Sequence, residues 1–182
     1  MRELFEEGHK IYPSPCLLEI IQDKLKQKDI LYKSEVPVPK CKKVVSPACF
    51  EKFGFPVVQK ARKGGYDGRG VFVLRDKNDL KKAIKAESLV EEFVDYEKEL
   101  AVIVARSTEG EVKCYPVVEM VFDERANICD MVIAPARIEK EIEKQTKEIA
   151  IKSIEVLNGI GVFGVEMFLT KNGNVLVNEI AP

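Results

Sequence analysis

The sequence predicts an α+β fold with mixed or antiparallel sheets and only a few helices. Apolar segments of strand length come in pairs joined by short turns, and the Asn172-Gly173 dipeptide between two apolar runs is typical of a β-hairpin. Only residues 137–157 carry a long apolar stripe at helical spacing. Because strands do not alternate regularly with helices, a doubly wound parallel sheet is disfavoured.

The first half of the chain mixes short helices and strands. Residues 1–16 contain Pro13 and Pro15 and are expected to form an extended lead-in. Apolar residues at helical spacing predict a helix over residues 17–33, which cannot continue into Pro37. The other elements predicted here are a strand at 44–45, a helix capped by Ser46-Pro47 that runs to about residue 52, strands at 55–61 and 71–74, a helix capped by Asn78-Asp79 that runs to about 86, and a strand at 88–93.

The second half is dominated by strands. The elements predicted here are strands at 100–105 and 113–121, a strand at 129–134, the helix at 137–157 ending at Asn158-Gly159, and strands at 162–170 and 174–180. A boundary near Asp95-Tyr96 divides the chain into a lead-in and helix from a preceding domain (residues 1–35), a small lobe (36–95) and a large lobe (96–182).

The last hairpin is predicted to place two carboxylates opposite each other. If Asn172-Gly173 form a two-residue loop, Phe168 pairs with Val177 and Glu166 falls opposite Glu179. Directly opposed residues share a face of the sheet, with Cβ atoms about 4.5–5.5 Å apart. The turn alone therefore brings two glutamates together.

A bound cation is one interpretation of this pair, and solvent exposure at the end of the hairpin is the other. The neighbouring positions, such as Val165 and Ile180, are apolar, so the like charges of Glu166 and Glu179 would repel each other without a counter-charge. Magnesium suits oxygen-only ligands, because it binds through a few carboxylates and substrate phosphates. Under strict alternation Asn178 points to the opposite face and joins the pair only if the strand twists or ends there.

A glycine-rich segment between two predicted strands is a candidate phosphate-binding loop. Residues 63–70 hold four glycines among eight residues, so backbone N–H groups are left uncovered. Arg62, Lys63 and Arg69 lie in or next to this segment, although a hairpin tip has no structural need for so many cations. The ending of a Walker A loop is missing, and an ordinary flexible hairpin loop is the alternative.

Charged residues next to these segments suggest a nucleotide. Lys60 lies on a strand expected to be buried, where an ammonium needs a partner such as phosphate. The backbone of residues 91–94 lies at the predicted lobe junction and can hydrogen-bond an adenine edge, and Glu99 can bind ribose hydroxyls. Solvated surface glutamates are the alternative interpretation.

Composition excludes several function classes. The 182 residues include 29 basic and 30 acidic side chains, so net charge favours neither a nucleic-acid nor a membrane partner. There is no apolar run of membrane-spanning length and no signal peptide, and the odd number of five cysteines without metal-site spacing fits free thiols in a reducing cytoplasm. The single histidine, His9, is given no catalytic role.

Several segments together resemble the 5-(carboxyamino)imidazole ribonucleotide synthase family, over residues 8–182. The glycine-rich loop Gly-Gly-Tyr-Asp-Gly-Arg-Gly is the specific one, because relatives with other substrates usually have small residues in place of Tyr66 and Asp67. The supporting segments are residues 22–28, the Val-Pro-Val-Pro turn at 36–39, and residues 89–94, 99–106, 115–119 and 177–182.

The resemblance implies an ATP-grasp fold, in which ATP lies between two α+β lobes. It implies a ligase that phosphorylates bicarbonate with ATP and passes CO2 from carboxyphosphate to aminoimidazole ribonucleotide in purine synthesis. The implied cofactors are ATP and magnesium, and a homodimer is the implied assembly. Such phosphoryl transfer depends mainly on positioning and charge neutralisation.

The resemblance also implies roles for individual residues. These are Lys24 and Lys60 on the ATP phosphates; Gly65, Gly68 and Gly70 in the loop that covers them; Glu91, Glu92, Phe93 and Val94 at adenine; Glu99 at ribose; Glu119 near the nucleotide; Glu166 and Glu179 as magnesium ligands with Asn178 beside them; and Tyr66, Asp67 and Arg69 facing the imidazole ribonucleotide or bicarbonate.

The sequence departs from the family pattern in three ways. The family has a nucleotide-fold domain before this region and a further substrate-binding segment after it, and Met120 replaces an expected asparagine. We therefore expect a fragment with a weak ribonucleotide site. Two alternatives stay open: another ATP-grasp ligase, such as glycinamide ribonucleotide transformylase or biotin carboxylase, and a nucleotide-binding module without turnover of its own.

Overall fold

A computed structural model describes residues 1–65, 70–123 and 128–182. The helices in these ranges are α1 (Arg2–Glu6), α2 (Pro15–Ile21), α3 (Lys24–Lys33), α4 (Ala48–Phe53), a 3-10 helix (Lys77–Lys82) and α5 (Lys140–Val156). The strands are β1 (Cys41–Lys43), β2 (Val57–Ala61), β3 (Val71–Leu74), β4 (Ser88–Glu92), β5 (Tyr96–Arg106), β6 (Val112–Cys114), β7 (Val118–Asp123), β8 (Ile128–Ile133), β9 (Gly161–Thr170) and β10 (Val175–Ala181).

The first sheet is small and antiparallel, with strand order β1-β4-β2-β3. One of its faces is closed by a cluster of buried side chains, Phe50 of α4, Val57 of β2, Leu74 of β3 and Val90 of β4. Because side chains alternate along a strand, Lys60 of β2 and Glu91 of β4 are directed to the face opposite to Val57 and Val90. The small sheet therefore offers charged groups on the side away from α4.

The second sheet has six antiparallel strands, with order β10-β9-β5-β7-β8 and β6 paired to β5. Its core face packs against α5, whose buried residues Ile149, Ala150 and Ile154 contact a cluster that includes Val102 and Val165. The first sheet ends at Glu92 and the second begins at Tyr96. The division into lobes at residue 95 stays a prediction.

Helix α3 connects the two sheets through polar side chains. Its N-cap Asp23 accepts hydrogen bonds from the backbone N–H groups of Leu25 and Lys26, and from the guanidinium of Arg62 just after β2. Gln27 is 1% exposed and bonds to both backbone groups of Ile180 in β10, at 3.0 Å each. The helix is thus held between a strand end of the small sheet and the last strand of the large one.

Several predicted elements differ from the observed ones. The single helix expected over 17–33 is two helices, because Asp23 has extended backbone and caps α3. The lead-in expected to be extended contains α1, and the first strand lies at Cys41–Lys43 rather than 44–45, since it pairs with β4 there.

The predicted caps of two short helices are also wrong. The N-cap of α4 is Pro47 itself, without a side-chain bond, and the helix expected at 78–86 is a 3-10 helix capped by Asp76. The strand expected at 113–121 is divided into β6 and β7, which both pair with β5.

Within residues 1–65, 70–123 and 128–182, no helix combines the length and apolar content needed to span a membrane.

The contact between Gln27 and Ile180 is expected to stabilise the fold. Replacing Gln27 with Leu leaves a buried N–H and a buried C=O of Ile180 without partners, which costs about 1–3 kcal/mol for each group. Urea unfolding should therefore show a clear loss for Gln27→Leu and almost none for the exposed control Gln22→Leu. Equal unfolding free energies for the two variants would contradict this assignment.

Candidate functional site

The candidate site lies on the face of the large sheet that points away from α5. Directly paired residues share a face, and Ala101 pairs with Glu166 while Glu99 pairs with Phe168. The intervening residue Leu100 is fully buried on the core side. Glu99 and Glu166 therefore project from the same open face of the sheet.

The final hairpin places Glu166 opposite Glu179 as expected, although the expected register is wrong nearer the turn. The Thr170 N–H donates to the Asn174 carbonyl at 2.9 Å, so the loop has three residues with Gly173 at a φ of 77°. Val177 consequently pairs with Met167 instead of Phe168. A β-bulge between Val177 and Glu179 then inserts one extra residue and restores the Glu166–Glu179 pair.

The bulge also decides where Asn178 points. Strict alternation would direct Asn178 away from Glu179, but the extra residue breaks the alternation. Asn178 Oδ1 instead accepts a hydrogen bond from Lys60 Nζ at 2.7 Å. The structure therefore brings Asn178 and Glu179 to the same side, which the sequence pattern made conditional on a distortion of the strand.

The paired carboxylates create an unfavourable concentration of negative charge. Burial raises the pKa of Glu166, and the nearby carboxylates of Glu179 and Glu99 raise it further. Burial likewise raises the pKa of Glu99. A cation would relieve this repulsion, and carboxylate oxygens are the donors that magnesium prefers.

The donor set fits magnesium only with help from a ligand. Within the described ranges no group of three or more His, Cys, Asp or Glu side chains is arranged to hold a metal ion. Magnesium is commonly bound by one or two carboxylates together with substrate phosphates. Glu166 and Glu179 therefore fit a metal that arrives with a phosphorylated ligand.

Lys24 lies beside this carboxylate pair. It occupies the first position of α3, and its ammonium donates a hydrogen bond to Glu179 Oε1. The Lys24 N–H also bonds to the carbonyl of Arg62 at 3.0 Å, which ties the start of α3 to the small sheet. The Lys24 ammonium, on a helix tied to the small sheet, thereby lies against the Glu179 carboxylate of the large sheet.

Lys60 approaches the same region from the small sheet. Its ammonium lies 2.8 Å from Glu91 Oε2 and donates to Asn178 Oδ1. Lys28 of α3 lies 3.1 Å from the other carboxylate oxygen of Glu91, an ion-pair contact outside hydrogen-bonding geometry. Burial opposes ionisation of Glu91, yet these two ammonium groups hold its pKa below the usual value.

Lys28 and Gln27 are site-supporting residues that the sequence analysis missed. Both are 1% exposed, and with Lys24 and Leu31 they form the buried stripe of α3. A helix whose inward positions are lysine and glutamine carries a readable signal, because buried polar side chains require partners. The prediction of that helix rests on the spacing of its leucines and isoleucines, which do not carry this signal.

The described part of the glycine-rich segment borders a cavity of about 400 Å³. This cavity is lined by Lys24, Lys63, Gly64, Gly65 and Glu179, among others. The backbone N–H of Ala61 donates to the Gly70 carbonyl at 2.7 Å, which closes the base of the loop.

Gly70 cannot be replaced without strain at this base. Its φ is +84°, and a Cβ there would lie 3.1 Å from the Ala61 Cβ. The remaining predicted loop residues, Tyr66, Asp67, Gly68 and Arg69, lie outside the described residues.

The predicted adenine-binding segment is divided by the structure. The Glu91 carboxylate is enclosed between Lys28 and Lys60, and the Glu92 carboxylate accepts a hydrogen bond from the Lys40 N–H at 2.8 Å. Glu92 and Phe93 line a separate cavity of about 660 Å³. The side chains of Glu91 and Glu92 thus point in different directions.

Glu119 is not brought to the other predicted residues. It pairs with Leu100, so it lies on the core face of the sheet, opposite to Glu99. There Arg137 Nη2 lies 2.8 Å and Lys98 Nζ 3.1 Å from Glu119 Oε1. These hydrogen bonds tie the segment before α5 to the sheet.

A comparison with protein families and curated proteins assigns this architecture. The model of the ATP-grasp domain family matches residues 30–182. A phosphoribosylaminoimidazole carboxylase from Ogataea methanolica is 42% identical over 184 residues, which cover 96% of this chain and 34% of that protein. The chain therefore spans about a third of the length of this relative.

Solved structures give the same assignment. The N5-carboxyaminoimidazole ribonucleotide synthetase from Thermotoga maritima superposes with a TM-score of 0.88 at 55% identity, over 99% of this chain and 47% of that one. The Aspergillus clavatus N5-carboxyaminoimidazole synthase in complex with ADP and 5-aminoimidazole ribonucleotide gives 0.89 at 33% identity, over 99% and 49%. The chain spans about half of each solved chain.

The contacts of Glu119 predict how the free energy of unfolding depends on pH. The Arg137 hydrogen bond, with that of Lys98, lowers the Glu119 pKa from 4.5 to about 2. A carboxylate whose pKa is depressed on folding stabilises the protein above its unfolded pKa, and this contribution is lost as pH falls from about 4.5 to about 2. The unfolding free energy of the wild type should therefore fall more steeply over this range than that of Glu119→Gln.

Chemical unfolding at a series of pH values measures this difference. The exposed glutamate Glu148 on α5 supplies the matched control, and Glu148→Gln should keep the wild-type slope. Parallel pH profiles for Glu119→Gln and the wild type would show that the Glu119 contacts do not favour its ionised form.

Proposed function

The chain belongs to the ATP-grasp family, and on that premise we propose that it binds magnesium-ATP as the nucleotide-binding part of a 5-(carboxyamino)imidazole ribonucleotide synthase. The observation that carries the proposal is the convergence of Lys24, Lys60 and Asn178 on the opposed pair Glu166 and Glu179. Cations from α3 and the small sheet meet carboxylates from the large sheet, which is the arrangement that a metal–triphosphate complex requires.

The lysines supply charge for the phosphates. Lys60 and Lys24 are each less than a tenth exposed, so a phosphate oxygen that reaches them interacts in a partly water-excluded site where charge attraction is strong. Phosphoryl transfer spreads negative charge over the oxygens of the transferred group. Fixed ammonium groups stabilise that charge without having to reorganise during the reaction.

Glu166 and Glu179 are the proposed magnesium ligands, and Asn178 offers an amide oxygen beside them. Magnesium held there would supply positive charge that neutralises phosphate oxygens. Lys24 and Glu179 are partners of each other. With a metal–nucleotide complex bound, the Lys24 ammonium would pair with a phosphate and the Glu179 carboxylate with the cation, so each would keep a partner of opposite charge.

The proposed reaction joins bicarbonate to aminoimidazole ribonucleotide. A bicarbonate oxygen forms a bond to the γ-phosphorus while the bond to the ADP oxygen breaks. The carbon of carboxyphosphate then becomes bonded to the exocyclic amine nitrogen as its bond to the phosphate oxygen breaks, and the amine gives up a proton to the released inorganic phosphate. The relative from Aspergillus clavatus, in complex with ADP and 5-aminoimidazole ribonucleotide, supports this choice of acceptor. Tyr66, Asp67 and Arg69 are proposed to face the imidazole ribonucleotide or bicarbonate. In the sequence they directly follow Gly65, which lines the cavity of about 400 Å³.

The remaining assignments are also proposals. Glu99 is proposed at the ribose and the backbone of residues 91–94 at adenine. Glu119 was expected near the nucleotide, but its position on the core face supports a role in holding the sheet to α5 instead. A cytoplasmic location is also proposed, and the free cysteines of the described residues support it. A homodimer is the proposed assembly, which analytical ultracentrifugation would test.

Isothermal titration of magnesium-ATP tests the site. The variant Glu179→Gln removes one proposed ligand charge with little change in shape, so the magnesium-dependent part of the ATP affinity should fall by at least about tenfold, the loss typical even for residues that only support metal ligands. The variant Glu155→Gln changes an exposed glutamate on α5 and should bind as the wild type does.

Two results of this titration would contradict the proposal. If folded wild-type protein does not bind ATP at millimolar concentration, the chain by itself lacks a working nucleotide site. If Glu179→Gln retains full magnesium dependence, the opposed glutamates are not the metal site.

ATP turnover separates the ligase from a module that only binds. Release of phosphate that requires both bicarbonate and aminoimidazole ribonucleotide is expected if the chain carries the synthase reaction. Binding without such release would favour a nucleotide-binding module, and release that depends on a different amine would favour another ATP-grasp ligase.

A further inference from the structure

Three buried charged groups connect α3 with the small sheet. Lys28, Glu91 and Lys60 are 1%, 2% and 8% exposed. The two oxygens of Glu91 are divided between the lysines, with Oε1 3.1 Å from Lys28 Nζ and Oε2 2.8 Å from Lys60 Nζ. Burying charged groups costs free energy unless they are paired, and apolar side chains could fill the same space without this cost. We therefore infer that the three charges have a function besides packing.

We propose that Lys28 is a positioning residue for phosphate binding, which acts by taking half of the Glu91 carboxylate and so leaving the charge of Lys60 available to the nucleotide. The proposal rests on the proposed function, because it concerns the same site. Lys28 itself is enclosed and does not line the cavity beside Lys24 and Glu179. Its effect must therefore pass through the groups that it contacts, above all Glu91.

The charge balance is the first argument. Two ammonium groups share one carboxylate, so the cluster carries an excess positive charge. Lys60 is the more exposed of the two lysines, and its ammonium also reaches Asn178 next to the proposed metal ligand Glu179. The excess charge is therefore presented at Lys60. Without Lys28, Glu91 would neutralise Lys60 by itself, and a phosphate would compete with a buried carboxylate.

The position of Lys28 is the second argument. Its ammonium also donates to the Val177 carbonyl at 3.4 Å, and Val177 directly precedes the bulged residue Asn178. Lys28 thus contacts both neighbours of the Lys60 ammonium: the carboxylate on β4 and the strand that carries Asn178. A purely apolar residue at this position could fill the space but could not share the charge of the Glu91 carboxylate with Lys60.

The neighbouring titratable groups do not cancel the excess positive charge of Lys28, Glu91 and Lys60. Besides Glu91 of β4 and Lys60 of β2, Cys41 of β1 has a charge effect on Lys28. Burial raises the Cys41 pKa to about 11, so the thiol is neutral and adds no competing negative charge. Burial lowers the Lys28 pKa to about 8, which leaves the ammonium protonated at neutral pH and below.

Titration calorimetry with two ligands tests the proposal. Lys28→Met should weaken magnesium-ATP binding on the order of tenfold, within the range usual for coupled sites. Adenosine carries no phosphate, so its affinity should not change. The matched control Lys26→Met removes an exposed lysine from the same helix and should leave both affinities unchanged.

A double variant makes the test specific. In Lys28→Met/Glu91→Gln the carboxylate charge is removed as well, so Lys60 is free again and magnesium-ATP affinity should recover toward the wild-type value. Equal weakening of adenosine and magnesium-ATP by Lys28→Met would indicate a merely structural role and overturn the proposal. Unchanged magnesium-ATP affinity in Lys28→Met, or no recovery in the double variant, would overturn it too.

A ligand-free measurement keeps this inference separate from the proposed function. If the wild type does not bind magnesium-ATP, the proposed function fails for this chain, and urea unfolding then decides the role of Lys28. Lys28→Met and Lys60→Met should each lower the urea midpoint of unfolding. In the variant Lys28→Met/Lys60→Met the two decreases should be non-additive, because both lysines share Glu91. Additive losses would show that the two lysines are not coupled and would overturn the inference.

Discussion

The need to pair buried charges is the constraint on which the arrangement of this molecule depends. Glu91 lies almost fully buried between Lys28 and Lys60, and leaving any one of these groups unpaired would cost about 3–5 kcal/mol. The pairing fixes α3 against the small sheet. The same helix is held to the large sheet by Gln27 and Ile180, so one short helix sets how the two sheets face each other.

The hairpin illustrates how local irregularities can cancel. A three-residue loop moves the β9–β10 pairing by one residue relative to a two-residue loop, which would have separated Glu166 from Glu179. The bulge at Asn178 moves it back. The extra residue also turns Asn178 toward Lys60. The bulge therefore gives the strand two adjacent polar residues on one side, which regular pleating does not allow.

The candidate site was partly readable from the sequence. Lys60 was recognisable because a lysine within an apolar strand requires an anionic partner, and the glycine-rich segment because glycines uncover backbone donors. Glu119 was not assignable from its neighbours, since only the pairing of β5 with β7 shows that it lies on the core face with Arg137. The role of Lys28 was not predicted, because its partner Glu91 is distant in the sequence and contacts it only in the folded chain.

The sequence by itself determined the α+β class and most strand positions, which depend on periodicity over a few residues. The opposition of Glu166 and Glu179 was predicted from a two-residue turn, but in the structure it depends on a three-residue loop and a bulge. Only the tertiary structure decided which charges pair: Lys24 with Glu179, Lys28 and Lys60 with Glu91, and Lys98 and Arg137 with Glu119. The physical reason is that ion pairs and sheet faces depend on contacts between segments remote in the chain, which no local pattern records.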